Sequence, residues 1–376
     1  MLGNYSSLGA DPDVGPLTLA EAFAAQGYRT VAVLSSSHLA HEYSGRGRGF
    51  DVVVRPAGSE ARADESLQSV LAELEGGLPT FVWLHLFDAH APYLPPGEFD
   101  RRYYPRDKNP FDPLLPEIDL EGGRMPMWLH GLRDHAFARS QYRAEIAYLD
   151  AQIAGLLAHP RVDAGIIAFT SDHGEVFARN GVFYEHKGLT PDTLRVPLIV
   201  RAPGLDGAGR RVTSHVRQMD LGRTLLNLAG HTSVEYPGLD LLDEKRPGDE
   251  PHFAISRRFA SVTQGKWHAI LTLSDLSDSK DGEWAARHQL ELYDIDADAG
   301  CVDDMASKEF TQAARFRKAI VNWLANADPT LRASRPNLDR AAKMNLAALG
   351  YAASDDSVGG ELFDAACECS ECLKFK

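Results

Sequence analysis

Short amphipathic helices alternate with near-continuous apolar runs through most of this 376-residue chain. Thr18-Leu19-Ala20-Glu21-Ala22-Phe23 opens a helix that Gly27 ends, and Thr30-Val31-Ala32-Val33-Leu34 reads as the strand after it. Residues 64–78 repeat the step, with Leu67, Val70, Leu71 and Leu74 at helical spacing before the buried run Thr80-Phe81-Val82-Trp83-Leu84-His85-Leu86. The strongest helical pattern covers residues 142–157, where Ile146, Leu149, Ile153, Leu156 and Leu157 form one stripe; the strand Gly165-Ile166-Ile167-Ala168-Phe169 follows. Val196-Pro197-Leu198-Ile199-Val200 is a further strand, with Pro197 near its start, where a missing amide is best tolerated. Asp220 is expected to cap a helix running to Ala229, and Gly230 to stop it. Strands that are apolar on both faces must be covered on both. The pattern therefore predicts an α/β fold, a mostly parallel sheet with helices on either side.

The pattern changes near residue 247. Residues 261–271 look like a hairpin, Leu290-Glu291-Leu292-Tyr293-Asp294 like a strand with a turn, and residues 310–325 like a packing helix. The expected division is a larger domain over 1–246, a smaller C-terminal α/β subdomain over 247–327, and an irregular tail over 328–376. The tail holds Cys367, Cys369 and Cys372, while Cys301 stands alone. It reads as an exposed end with reducible thiols. A metal-binding Cys-x-Cys-x-x-Cys is the alternative, without the second ligand pair of a strong zinc motif.

Composition narrows the partners. A chain with 44% hydrophobic residues can bury a large core, and 53 acidic against 39 basic residues leave a net charge of -14, which opposes general nucleic-acid binding. Anion binding is then local. No run of about 18 apolar residues is present, so no membrane span is expected. Met1-Leu2-Gly3-Asn4-Tyr5-Ser6-Ser7 has neither the basic nor the apolar region of a signal peptide, and the compartment is left open.

Four polar clusters fall at strand ends. The run ending at Phe169 passes into Thr170-Ser171-Asp172-His173-Gly174-Glu175, where a carboxylate and a neutral imidazole together suit a divalent metal. Two ligands do not close such a site, and without a ligand the segment is a turn in which Gly174 supplies backbone freedom. In Leu86-Phe87-Asp88-Ala89-His90-Ala91-Pro92-Tyr93-Leu94-Pro95-Pro96, prolines stiffen a loop that holds His90 beside the sheet edge; alone, such a histidine is a loop hydrogen-bonder. In Tyr184-Glu185-His186-Lys187-Gly188, Lys187 can bring a fixed positive charge to an anion, or the segment is an ordinary charged loop. Ser35-Ser36-Ser37-His38 reads as structural.

Taken in order, these segments resemble the sulfatase family of the alkaline-phosphatase-like superfamily. The likeness runs from the segment at residues 81–96 through Asp150, Thr170 to Glu175, His186-Lys187-Gly188 and Leu194-Arg195-Val196-Pro197-Leu198-Ile199-Val200-Arg201-Ala202-Pro203-Gly204. Met219-Asp220-Leu221, Glu291-Leu292-Tyr293-Asp294 and Leu346-Ala347-Ala348-Leu349-Gly350-Tyr351 extend it, so that it covers roughly residues 15–351. The resemblance implies an alkaline-phosphatase-like fold and hydrolysis of sulfate esters on a sulfated small molecule or glycan. It implies that Asp172 and His173 are metal ligands, with His173 standing where many sulfatases have Asn. It implies that Lys187 contacts the sulfate and the leaving oxygen, and that His90 binds substrate. Acid assistance to the leaving alcohol would fall to His90 or Lys187. Calcium is the expected ion, with zinc or manganese as alternatives suited to His173.

The departures are as informative. The family's nucleophile is a formylglycine made within Cys/Ser-x-Pro/Ala-x-Arg, a motif this chain does not contain; Ser334-Arg335-Pro336-Asn337-Leu338 lacks the arginine. The first strand and its acidic metal ligands have no counterpart either, and Ser35 and Ser37 replace a lysine and histidine often found after the strand at 30–34. The expectation is a sulfatase shortened at its N-terminus, inactive as it stands, whose sheet shows an edge or gap. The alternatives are a non-catalytic anion-binding or interaction protein, and a phosphate or phosphonate ester hydrolase of the same superfamily.

Overall fold

The computed structural model describes residues 16–39, 47–120, 123–179, 181–243, 245–246, 248–256, 258–273, 286–326 and 367–375. Its first layer is a parallel sheet of three strands, β1 (Arg29–Leu34), β2 (Val52–Val54) and β3 (Thr80–His85), in the order β2-β1-β3. Val31 aligns with Val52 on one side and with Val82 on the other. The helix Leu19–Ala24 enters β1 through a reciprocal capping box: Thr18 Oγ1 accepts the Glu21 amide and Glu21 accepts the Thr18 amide. Gly27, at φ 82°, turns the chain as expected. The helix Ala63–Glu73 covers the sheet, and Val70 and Leu74 pack on Val31 and Val33.

The long helix runs His135–Leu157, beginning seven residues before the expected start because Asp134 accepts the Ala136 amide and caps it. Its buried face also differs from the expected one. Ala138, Gln141, Ala144, Glu145 and Tyr148 are buried, whereas Ile146 is 44% exposed. Small and polar residues face inward because Gln141 bonds Asp100 and the Arg101 amide, and Tyr148 bonds Asp64. Apolar spacing alone could not reveal those partners.

β4 (Ile167–Thr170), β5 (Val176–Arg179), β6 (Val182–Glu185) and β7 (Leu198–Arg201) follow. β4 pairs with β7 and β5 with β6, both antiparallel and each as a separate two-stranded sheet, so among the described strands parallel pairing is confined to β1, β2 and β3. β7 starts at Leu198, which leaves Pro197 just outside the ladder. Among the described strands β3 and β4 each have one paired neighbour. Phe169 on β4 and Ile199 on β7 are 44% and 61% exposed.

The helix Asp220–Leu228 has Met219, not Asp220, at its cap. Asp220 is buried within the first turn, where its carboxylate accepts two bonds from Arg217 and one from the Leu239 amide. Gly230 ends the helix at φ 85°. β8 (His252–Ile255), β9 (Phe259–Gln264), β10 (Trp267–Thr272) and β11 (Leu290–Asp294) form an antiparallel meander in the order β11-β10-β9-β8. The helix Phe310–Ala325 lies on it, with Phe316 and Ile320 packed on Val262, Leu271 and Leu292. The segments at residues 346–351 and 334–338, and most of the tail from 328, lie outside the described residues. No helix among the described residues is long and apolar enough to cross a membrane.

Candidate active site

Three strand ends bring the polar clusters together. His90 follows β3, where Phe87 stacks on its ring with centroids 4.3 Å apart and the His90 amide donates to Phe87 O at 2.9 Å. Its Nδ1 lies 2.6 Å from Ala91 O. His173 follows β4, with Nδ1 2.9 Å from Gly174 O and its backbone carbonyl accepting Ser171 Oγ at 2.7 Å. His186 follows β6 and stacks on His173 with centroids 4.1 Å apart; His90 lies 5.4 Å from His186 and 6.2 Å from His173. One nitrogen from each ring lies within 4.8 Å of the others, close enough to share one ion.

The protonation states suit that use. A carbonyl oxygen only accepts, so Nδ1 of His90 and of His173 carries the proton, and in the neutral ring Nε2 is a lone pair. Burial, followed by His173 and His90, pushes His186 down to about 3. Burial likewise lowers His90. Neutral imidazoles with one nitrogen tied to a carbonyl are the form in which histidine ligates metals. Asp172 stands beside them, with Oδ2 3.8 Å from His173 Nε2 and a side chain 62% exposed. Surrounding atoms raise its carboxyl, but His173, His85 and two backbone amides outweigh them and hold it below the usual range.

Gly174 closes this turn for a reason the sequence did not suggest. Its φ is unexceptional, but a Cβ there would lie 2.1 Å from Asp192 O, and its amide donates to Thr193 O at 2.8 Å. Close approach, rather than conformational freedom, requires glycine. Lys187 also differs from a bare cation: its Nζ sits 2.6 Å from Glu185 Oε2. The pair fixes the direction of the ammonium charge beside the histidines. Behind it, half-buried Glu175 is pushed up to about 7, chiefly by desolvation, with a hydrogen bond to Tyr93 opposing and Glu185 adding to the rise. In the Ser35 to His38 segment, Ser35 Oγ donates to His85 O and Ser36 Oγ lies 2.6 Å from His38 Nδ1.

Sequence reasoning placed His186 in the right cluster but gave it no role. The signal available was its position next to Lys187 at the end of an apolar run, the same grammar that singled out His90 and His173. It also missed His268, which reaches the lysine loop from the meander. The His268 Nε2–H donates to Leu189 O at 2.7 Å, and its Nδ1 accepts Thr263 Oγ1 at 2.8 Å. Burial holds His268 down at about 4. Unfolded, it takes up a proton as the pH falls through the ordinary 6.5, while the folded chain resists until about 4. Stability is therefore lost across that window, by roughly 3 kcal/mol from this residue at its acid end. His186 acts in the same direction. Urea midpoints at pH 7 and pH 4.5 should converge more closely in His268→Gln than in the unaltered chain; an unchanged acid loss would rule His268 out as a cause.

A profile of the sulfatase family matches residues 3–231, more than half of the chain. The chain belongs to the sulfatase family. It is 27% identical over 241 residues to an uncharacterized sulfatase, YidJ, of Escherichia coli K12, covering 59% of this chain and 43% of that protein. It is 28% identical over 177 residues to a choline-sulfatase of Rhizobium meliloti, covering 43% and 31%. The chain thus spans less than half the length of these curated relatives. Among solved structures, BT4656 in complex with D-glucosamine-2-N,6-O-disulfate superposes with a TM-score of 0.60 at 17% identity, covering 86% of this chain and 87% of that one. This likeness shows the alkaline-phosphatase-like fold. Sulfatases generally use a divalent metal ion, and the donors gathered here are of a kind that could hold one.

Proposed function

We propose that this chain carries the substrate-binding and leaving-group side of a sulfuric-ester hydrolase. The observation that supports it is the convergence of His90, His173 and His186, with Asp172 and Lys187 beside them, at the ends of three strands. In this reading Asp172 and His173 hold the divalent ion. Such an ion, when bound, neutralises charge on the ester oxygens. Lys187, held by Glu185, binds the sulfate and supplies a proton to the leaving alcohol, and His90, whose ring proton is tied to Ala91 O, orients the ester. The substrate class is a sulfated small molecule or glycan. Ile118, Leu120 and Met125 pack against the core around Tyr93 and Tyr184, which supports residues 103–127 as one rim of the substrate cleft. In the same reading residues 1–246 carry the site and residues 247–327 form a subdomain with its own core, which supports the lysine loop through His268.

Calcium favours six to eight oxygen ligands, and of the clustered residues His90, Asp172, His173 and His186 only Asp172 offers a carboxylate. The imidazoles fit zinc or manganese better. They also leave open a phosphate or phosphonate ester as the substrate, since the same Asp-His pair suits a metal that binds phosphoryl oxygens.

No Cys/Ser-x-Pro/Ala-x-Arg motif supplies a nucleophile in this sequence, so the chain should bind without turning over. Calorimetry should detect binding of 4-nitrophenyl sulfate, weakened about tenfold or more in Lys187→Ala, the usual loss for one charge-assisted contact. Equal affinity in the variant removes Lys187 from the site. Release of nitrophenol faster than from the Lys187→Ala chain would show that the nucleophile-free reading is wrong. Tighter binding of 4-nitrophenyl phosphate would move the reading to phosphoesters.

A further inference from the structure

The cysteine tail, which the sulfatase reading leaves unused, docks against the meander. Cys372 is 3% exposed, and Phe375 stacks on Phe310 with centroids 5.3 Å apart and planes 6° from parallel. Arg317, on the helix Phe310–Ala325, donates to Cys372 Sγ at 3.1 Å and lies over the Phe375 ring. The fourth donor comes from far away in sequence. His288 sits at the turn into β11, fully buried, with its amide donating to Thr272 O at 2.8 Å. Its Nδ1 lies 3.2 Å from Cys372 Sγ and 3.5 Å from Cys369 Sγ. One ligand atom from each of His288, Cys367, Cys369 and Cys372 falls within 4.8 Å of the other three.

We propose that His288, Cys367, Cys369 and Cys372 form a structural zinc site that fastens the C-terminal segment to the meander. Three thiolates and one imidazole are an established tetrahedral zinc set, closed to water and so structural rather than catalytic. Bonds of about 2.3 Å to sulfur and about 2.0 Å to nitrogen put neighbouring sulfur and nitrogen atoms roughly 3.5 Å apart at tetrahedral angles. The two sulfur to Nδ1 distances lie close to that spacing. All four cysteines of the chain are free thiols, and a disulfide would bring two sulfurs to about 2.05 Å. Arg317 supplies positive charge to a centre whose three thiolates outweigh the ion by one unit. Ligation by Nδ1 moves the ring proton to Nε2, which now faces Arg287 Nε at 3.3 Å; the Arg287 side chain is exposed and free to turn away. The thiols lose their protons to solvent on binding, and no oxidation state changes.

The test uses the full chain, purified under reducing conditions without a histidine tag. Elemental analysis should find zinc, and Co²⁺ in its place should give thiolate-to-metal charge-transfer absorption with intense tetrahedral visible bands. The sulfur bands separate this site from the histidine cluster, so they should survive His173→Ala and Cys301→Ser but be lost in Cys372→Ser and His288→Asn. In the unaltered chain, chelation should expose three further thiols to a thiol reagent, a readout that does not depend on whether a variant folds. Absence of cobalt–thiolate bands in the unaltered reduced chain would overturn the site, as would a disulfide among Cys367, Cys369 and Cys372 in protein isolated without oxygen.

Discussion

Gly174→Ala should unfold at lower denaturant and lose sulfate binding together. The new Cβ would sit 2.1 Å from Asp192 O and 3.1 Å from Asp192 C, both backbone atoms that cannot rotate aside. Overpacking of this kind costs about 1–3 kcal/mol or more. The strain is relieved only by moving the turn that carries Asp172 and His173 away from the helix Pro191–Leu194, and displacement of about 1 Å at a binding centre costs on the order of a hundredfold. Gly155, in the helix His135–Leu157, provides the contrast because nothing lies within 4 Å of a Cβ there. Gly155→Ala should stabilise the chain by about 0.5–1 kcal/mol with sulfate affinity unchanged. Urea titration and calorimetry on both variants would decide; an unaffected Gly174→Ala chain would mean the turn has room to give.

Asp220→Ala is expected to destabilise the chain by about 1–3 kcal/mol, the cost of leaving a buried group unsatisfied. The carboxylate is 1% exposed and joins Arg217, through a two-point contact, to the Leu239 amide. Its removal leaves the Leu239 amide without its acceptor and the partly exposed Arg217 guanidinium without its ion pair. Gly238, at φ 96°, brings the chain so close that a Cβ would meet Met219 O at 2.6 Å, so no larger residue can fill the space. Asp220→Asn should recover part of the loss, because its oxygen still accepts from Leu239 while the charge pair is gone. A denaturation midpoint for Asp220→Ala within experimental scatter of the unaltered chain would show that Arg217 and Leu239 find other partners.

The elements that sequence periodicity revealed are those whose packing is local or apolar. β1, β3, the hairpin of β9 and β10, β11 and the helix Phe310–Ala325 fall where the spacing puts them. Misplacements arise where polar partners distant in sequence decide. Asp134 extended the long helix, Gln141 and Tyr148 turned a polar face inward, and Leu239 drew Asp220 into the first turn rather than onto the cap. β5 and β6 were unreadable as strands because their pairing is irregular in register, which breaks the two-residue alternation. At the candidate site, residue chemistry at strand ends was legible while the pairing of Lys187 with Glu185 and the stacking of His186 on His173 were not. Nor could spacing give Cys-x-Cys-x-x-Cys its fourth partner, which lies more than 80 residues from Cys369.

The bond from His268 to Leu189 has a bearing on how variation in this chain is to be interpreted. Leu189 lies two positions past Lys187, so a substitution in the meander can shift the ammonium without touching anything the anion contacts. Distance from Lys187 is therefore a poor guide to which substitutions matter. A survey of natural or random variants that sorts them by domain would misfile His268 with the scaffold, when its effect would appear in ligand affinity.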